Sequence, residues 1–124
     1  MIGGWLSKNM IIWITGQSES GKTTLAKQMK TDKTIILDGD DIRKVQPTGF
    51  SQKERWEHNL RVARLAKLLE SQGFDIIISL ICPYIKLREE VKEICNCGFI
   101  YLAGEKKHKD YPYEYEGDKK YLSK

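Results

Sequence analysis

The sequence predicts an α/β fold, a three-layer sandwich built on a short, mostly parallel sheet of about four or more strands. Three observations predict it. Short apolar runs alternate with helical patterns, in the order strand, helix, strand, helix, strand, helix, strand. The run Asp75 to Ile81 is β-branched and nearly continuous, as expected of a strand covered on both faces. The first strand runs into a glycine-containing loop and then a helix, a junction at which α/β sheets bind anions.

Taken in order, Met10 to Thr15 is an Ile-rich run ending at Gly16 and reads as a buried strand. A loop follows from Gly16 to Gly21, then a short helix from Lys22 to Lys30. Thr34 to Asp38 is a second strand. Gly39 to Gly49 contains Pro47 and reads as loop or broken turn. Ser51 to Gln72 is the longest helical pattern, opened by a capping box of Ser51 with Glu54 and stopped by Gly73. Trp56, Leu60, Val62, Ala63, Leu65, Ala66 and Leu69 form its apolar stripe, with Arg61, Arg64 and Leu68 on the other side. Ile85 to Cys95 is amphipathic, with Leu87, Val91 and Ile94 on one face, and Phe99 to Leu102 is a fourth strand. Residues 1–104 are expected to form the domain, and 105–124, rich in Tyr and Lys, an irregular tail of it.

At 124 residues the chain has room for one domain and one core. Apolar residues are 40% and charged ones 31%, a globular composition. The excess of 21 basic over 17 acidic residues suits an anionic ligand and is too weak to argue for nucleic acid. No apolar run approaches the roughly 18 residues that span a bilayer, so no membrane partner is expected. Met1 to Asn9 lacks the apolar centre of a secretory signal. Three cysteines, Cys82, Cys95 and Cys97, match no zinc spacing, and His58 and His108 lie far from Cys95; thiols in a reducing cytoplasm are expected.

Gly16-Gln17-Ser18-Glu19-Ser20-Gly21-Lys22-Thr23 fits G-x-x-x-x-G-K-[ST] without mismatch. Such a loop curls its N–H groups onto phosphate oxygens at a helix start. Lys22 places a cation on the terminal phosphates, and Thr23 offers a hydroxyl to Mg²⁺. An ordinary glycine-rich turn is the bland alternative; the strand before and the helix after favour a phosphate loop, and with it the P-loop NTPase fold. The nucleotide-binding set is Gly16, Gln17, Ser18, Glu19, Ser20, Gly21, Lys22, Thr23 and Thr24, with ATP and Mg²⁺ as the implied cofactors. Glu19 is unusual so near polyphosphate. No N-K-x-D motif is present to read guanine.

The strand Asp75 to Ile81 ends without an acid, so the metal-side carboxylate falls to the Asp38-Gly39-Asp40 group. An Asp-rich turn is its bland reading. At the end of a strand beside a phosphate loop, Asp38 can hold Mg²⁺ with Thr23, and Asp40 can take a proton from an acceptor hydroxyl. Lys22, Asp38 and Asp40 are thus the catalytic candidates. Arg55 and Asn59, four apart, share a face at the start of the long helix. With Arg43 and with Phe50, which can stack on a base, they suit an anionic nucleotide acceptor.

These residues resemble the adenylylsulfate kinases, which move the ATP γ-phosphate to the 3′-hydroxyl of adenosine 5′-phosphosulfate. The similar pieces are GQSESGKTTLA, LDGDDIR at Leu37 to Arg43, GFSQKER at Gly49 to Arg55, HNLRVARLAKLLESQG at His58 to Gly73, SLICPY at Ser79 to Tyr84 and FIYL at Phe99 to Leu102. The resemblance implies that Lys22 and Thr23 handle Mg·ATP and that Asp38 and Asp40 sit by the metal and the acceptor hydroxyl. It also implies that Asp40, Arg43, Phe50, Arg55, Asn59, Ile81 and Cys82 face the acceptor. Family members commonly carry Ser where Cys82 stands, a residue proposed as a phosphorylated intermediate; Cys82 points instead to direct transfer. The family's R-D-x-K-G-L-Y lid stretch is missing after Leu102, its final helix is expected to be absent, and Lys106, Lys107 and Lys109 are partial substitutes. Other readings stay open: another nucleotide-linked acceptor such as cytidine diphosphoramidate, a non-catalytic nucleotide-binding remnant, or an unrelated phosphate-loop metabolite kinase. A homodimer is also left open.

Overall fold

The computed structural model describes residues 10–16, 21–103 and 112–122. Four parallel strands, β1 (Ile11–Gly16), β2 (Thr34–Asp38), β3 (Asp75–Ser79) and β4 (Gly98–Leu102), form one sheet in the order β2-β3-β1-β4. Helix α1 (Lys22–Met29) covers one face, packing Leu25, Ala26 and Met29 on Ile14, Ile77 and Ile100. Helices α3 (Gln52–Ser71) and α4 (Ile85–Cys95) cover the other, over Trp13, Ile76, Ile78 and Phe99. The three expected layers are therefore present. Strand alternation explains the split: Trp13 and Ile14 are neighbours in sequence and feed opposite cores.

β1 is central and has no solvent face, which explains its run of buried residues. Trp13 is fully buried and spends its indole N–H on the Leu80 carbonyl at 2.9 Å. At the end of β1, Gly16 has φ 138°, and a Cβ there would lie 2.0 Å from the Leu102 carbonyl oxygen. Only glycine lets the chain leave the sheet beside β4 and turn into the loop.

Helix α3 begins as its sequence dictates. Ser51 Oγ accepts from the Glu54 N–H at 3.1 Å, and the Glu54 carboxylate reaches back to the Ser51 and Gly49 N–H groups. The Ser51 side chain first, then the Gly49 and Ser51 N–H groups, hold the Glu54 carboxyl below its usual pKa. Val62, Ala63 and Ala66 of the predicted stripe are buried, whereas Leu65 is 36% exposed and belongs to the rim.

One element corrects the sequence reading. Gly39–Val45 is a helix, α2, not a loop. The Asp38 carboxylate caps it by accepting the Asp40 N–H at 2.9 Å. Asp40 and Asp41 occupy its first turn and Arg43 and Lys44 its last, pairing at i,i+3 and matching the helix dipole. Pro47 and Gly49 mark the end of this short helix rather than a loop throughout. β3 is likewise shorter than its apolar run: it stops at Ser79, and Leu80 to Tyr84 is a loop. Residues 112–122 are irregular, as expected, with one 3₁₀ turn at Asp118–Lys120.

Candidate active site

The carboxyl ends of β2 and β3 and the start of α1 open on one cavity of about 450 Å³. Gly21, Lys22, Thr23 and Thr24 enter it from the start of α1, and Asp38, Gly39, Asp40 and Arg43 from the β2–α2 junction. Phe50, Arg55 and Asn59 come from the start of α3, and Ser79, Leu80, Ile81 and Pro83 from the end of β3 and its loop. Pro112 completes the wall. Five separate segments thus converge, two of them because the parallel strands β2 and β3 end side by side there.

Gly21 caps α1 with φ 90° and brings no side-chain oxygen to the first turn. The N-terminus of α1, the end of a helix that favours anions, thus borders the cavity. Burial pulls the Lys22 ammonium below its ordinary pKa, and the nearby Asp40 and Asp38 carboxylates push it back up. Thr23 Oγ1 donates to Asp38 Oδ2 at 2.8 Å, and Ser79 Oγ lies 3.4 Å from the same hydroxyl. Asp38 and Ser79 are register partners in adjacent strands, which is why β2 supplies the acid that β3 lacks. Thr23, Asp38 and Ser79 offer only oxygen donors. Such a set fits Mg²⁺, which takes few protein ligands and completes its shell with water and phosphate. Among the described residues, no group of three or more His, Cys, Asp or Glu gathers to hold a metal by itself.

Basic and aromatic groups line the same cavity. The Arg43 guanidinium lies 4.5 Å from the Phe50 ring centroid and 3.7 Å from Asp40 Oδ1. Phe50 is 49% exposed, unusual for a phenylalanine in a cavity wall and suited to stacking on a ligand ring. Asn59 is buried and its Nδ2 donates to the Arg55 carbonyl at 2.8 Å. That bond fixes the amide orientation one helical turn above Arg55.

Lys22, Thr23, Thr24, Asp38, Asp40, Arg43, Phe50, Arg55, Asn59 and Ile81 all line this one cavity. Cys82 does not. Its side chain is fully buried in the core beneath α4, and its N–H is held by Thr15 Oγ1 at 2.9 Å. The loop after β3 presents Leu80, Ile81 and Pro83 to the cavity and turns Cys82 into the core. Burial raises the Cys82 thiol far above its ordinary pKa, so it is no nucleophile. Gly16 shapes the turn without lining the cavity, while Gln17, Ser18, Glu19 and Ser20 lie outside the described residues, as do Lys106, Lys107, Lys109 and the lid position.

Ser79 and His58 were not singled out by sequence. Ser79 had a readable signal, a hydroxyl closing an otherwise apolar strand. His58 had none. It is fully buried, and neither ring nitrogen makes a hydrogen bond of good geometry. Burial first, then Arg43, lower its pKa to about 4; Arg61 adds to the fall, and the Gly39 backbone and Asp40 oppose it.

Residues 8–108 match the adenylylsulphate kinase family. The chain belongs to that family. The probable adenylyl-sulfate kinase of Pyrococcus abyssi is 46% identical over 100 residues, covering 73% of this chain and 58% of that protein. The corresponding protein of Archaeoglobus fulgidus is 40% identical over 93 residues, covering 68% and 60%. Among solved structures, the Mycobacterium tuberculosis APS kinase CysC in complex with AMPPNP and APS superposes with TM-score 0.63 at 26% identity, covering 77% of this chain and 62% of that one. This adenylylsulphate kinase family member spans about half to three fifths of the length of the curated relatives it matches. No described helix is long and apolar enough to cross a membrane.

Proposed function

We propose that this chain transfers the γ-phosphate of Mg·ATP to the 3′-hydroxyl of adenosine 5′-phosphosulfate. The observation that carries the reading is the make-up of one cavity. Lys22 and Thr23 of the helix start line it together with Arg43, Phe50 and Arg55, and Asp40 lies near both Lys22 and Arg43. Family membership supports the same acceptor class.

In this reading the α1 N-terminus and Lys22 hold the β- and γ-phosphates. Thr23, Asp38 and Ser79 would hold Mg²⁺, which supplies charge neutralisation on the phosphate oxygens when bound. Phe50 stacks on the acceptor base, and Arg43 and Arg55 pair with its phosphosulfate. Asp40 accepts the proton of the 3′-hydroxyl as its oxygen attacks the γ-phosphorus; the bond to the β-phosphate oxygen breaks, and ADP leaves. The burial of Cys82 away from the cavity supports direct, in-line transfer.

The test is ADP release by the purified protein with Mg·ATP, with and without adenylylsulfate. Release that depends on the acceptor and falls at least ~100-fold in Lys22→Ala supports the reading. ATP binding without acceptor-dependent release contradicts it, and a panel of other nucleotide-linked acceptors, cytidine diphosphoramidate among them, then separates a different acceptor from a binding-only protein.

A further inference from the structure

Beyond the end of β3 the chain forms a cavity wall from Leu80, Ile81 and Pro83. Contacts from outside the loop hold this wall in place. Trp13 and Thr15 of β1 bind the Leu80 carbonyl and the Cys82 N–H, both at 2.9 Å. Two further contacts come from α4 and from the irregular carboxyl-terminal segment. Arg88 Nη1 donates to the Cys82 carbonyl at 2.6 Å, and the Glu114 N–H donates to the Pro83 carbonyl at 2.8 Å.

Arg88 is only 3% exposed. Its Nη2 donates to the Glu114 carbonyl, its Nε pairs with Glu116 Oε2 at 3.1 Å, and its guanidinium lies 4.7 Å from the Tyr113 ring centroid. Glu114 answers from the other side. Its Oε1 accepts the Ile85 N–H at 2.7 Å, at the start of α4, where the N-cap residue Tyr84 makes no side-chain cap. A carboxylate from a distant segment thus caps this helix. Burying a guanidinium is costly unless its donors are matched, and here they go to two carbonyls and a carboxylate on two separate segments.

We propose that Arg88 and Glu114 are positioning residues for the acceptor. They latch residues 112–116 to the loop after β3 and so set the spacing of Ile81, Pro83 and Pro112 across the acceptor side of the cavity. The start of α1, Gly21 to Thr24, takes no part in these contacts, so the two substrates respond separately to the latch. This inference rests on the acceptor-kinase reading of the same cavity.

The experiment uses Glu114→Ala, Glu114→Gln and Arg88→Lys in the full chain. Glu114→Ala is expected to raise the acceptor KM about tenfold while the ATP Kd stays within about twofold. Glu114→Gln, which keeps the capping oxygen, restores most of the loss. Arg88→Lys, which loses the planar fork, resembles the Ala variant. A parallel rise in both constants, or an acceptor KM unchanged in Glu114→Ala, overturns the proposal. If the wild type binds ATP but shows no acceptor-dependent turnover, the kinase reading has failed instead. The latch is then judged by hydrogen exchange in Arg88→Lys: lost protection at the Cys82 and Glu114 amides upholds it, and wild-type protection at both overturns it.

Discussion

Each side chain in the cavity has a distinct chemical part, and single substitutions separate them. In the proposed reaction Arg55 binds the acceptor, so Arg55→Ala is expected to raise the acceptor KM at least ~10-fold and leave the ATP KM nearly unchanged. Equal effects on both would remove Arg55 from the acceptor side. Cys82→Ser tests direct transfer. The hydroxyl would sit in a dry core, so thermal stability should fall by about 1–2 kcal/mol while kcat stays within about threefold. A phosphoserine trapped at that position would contradict the account. At this scale the sequence was informative wherever a motif spaced the residues: Lys22, Thr23, Asp38 and Arg55 were all readable. Cys82 was misplaced because a resemblance carries a position without saying which way the side chain turns. Neither a motif nor a periodicity marked His58, since its environment is made by Gly39, Arg43 and Arg61, the first two of them on another helix.

Among the elements, the β2–α2 junction places most of the chemistry, and it is the element the sequence reading missed. The signals were present, in an Asp cap, acidic residues first and basic residues last. Pro47 and Gly49 outweighed them because a seven-residue helix is too short to show a periodic stripe. His58 of α3 lies buried against this junction, and its ring gives the packing a pH dependence. Its pKa is about 4 folded against 6.5 as the ordinary value. The unfolded chain therefore binds the proton first, and stability rises with pH across that window. Above pH ~6.5 the contribution is complete; acidification toward pH ~4 should cost on the order of 2–3 kcal/mol, with a flattened profile in His58→Gln. Denaturant titrations at several pH values check this, and an identical slope in the variant would refute the assignment.

For the whole molecule, the order of elements and the three layers were legible because buried parallel strands and amphipathic helices write different periods into the chain. The part that was not legible is the irregular segment 112–122. It has no period, and its place depends on Arg88, Tyr101 and Pro83, residues far away in sequence. Through Pro112 that segment adds to the wall of the cavity. The central claim is that this cavity moves a phosphate between two nucleotides. The most direct measurement is phosphorus NMR of the reaction of Mg·ATP with adenylylsulfate. The account predicts a new phosphomonoester resonance coupled to the ribose 3′ proton, growing in step with ADP. Inorganic phosphate as the only partner of ADP, or no ADP at all, would contradict it.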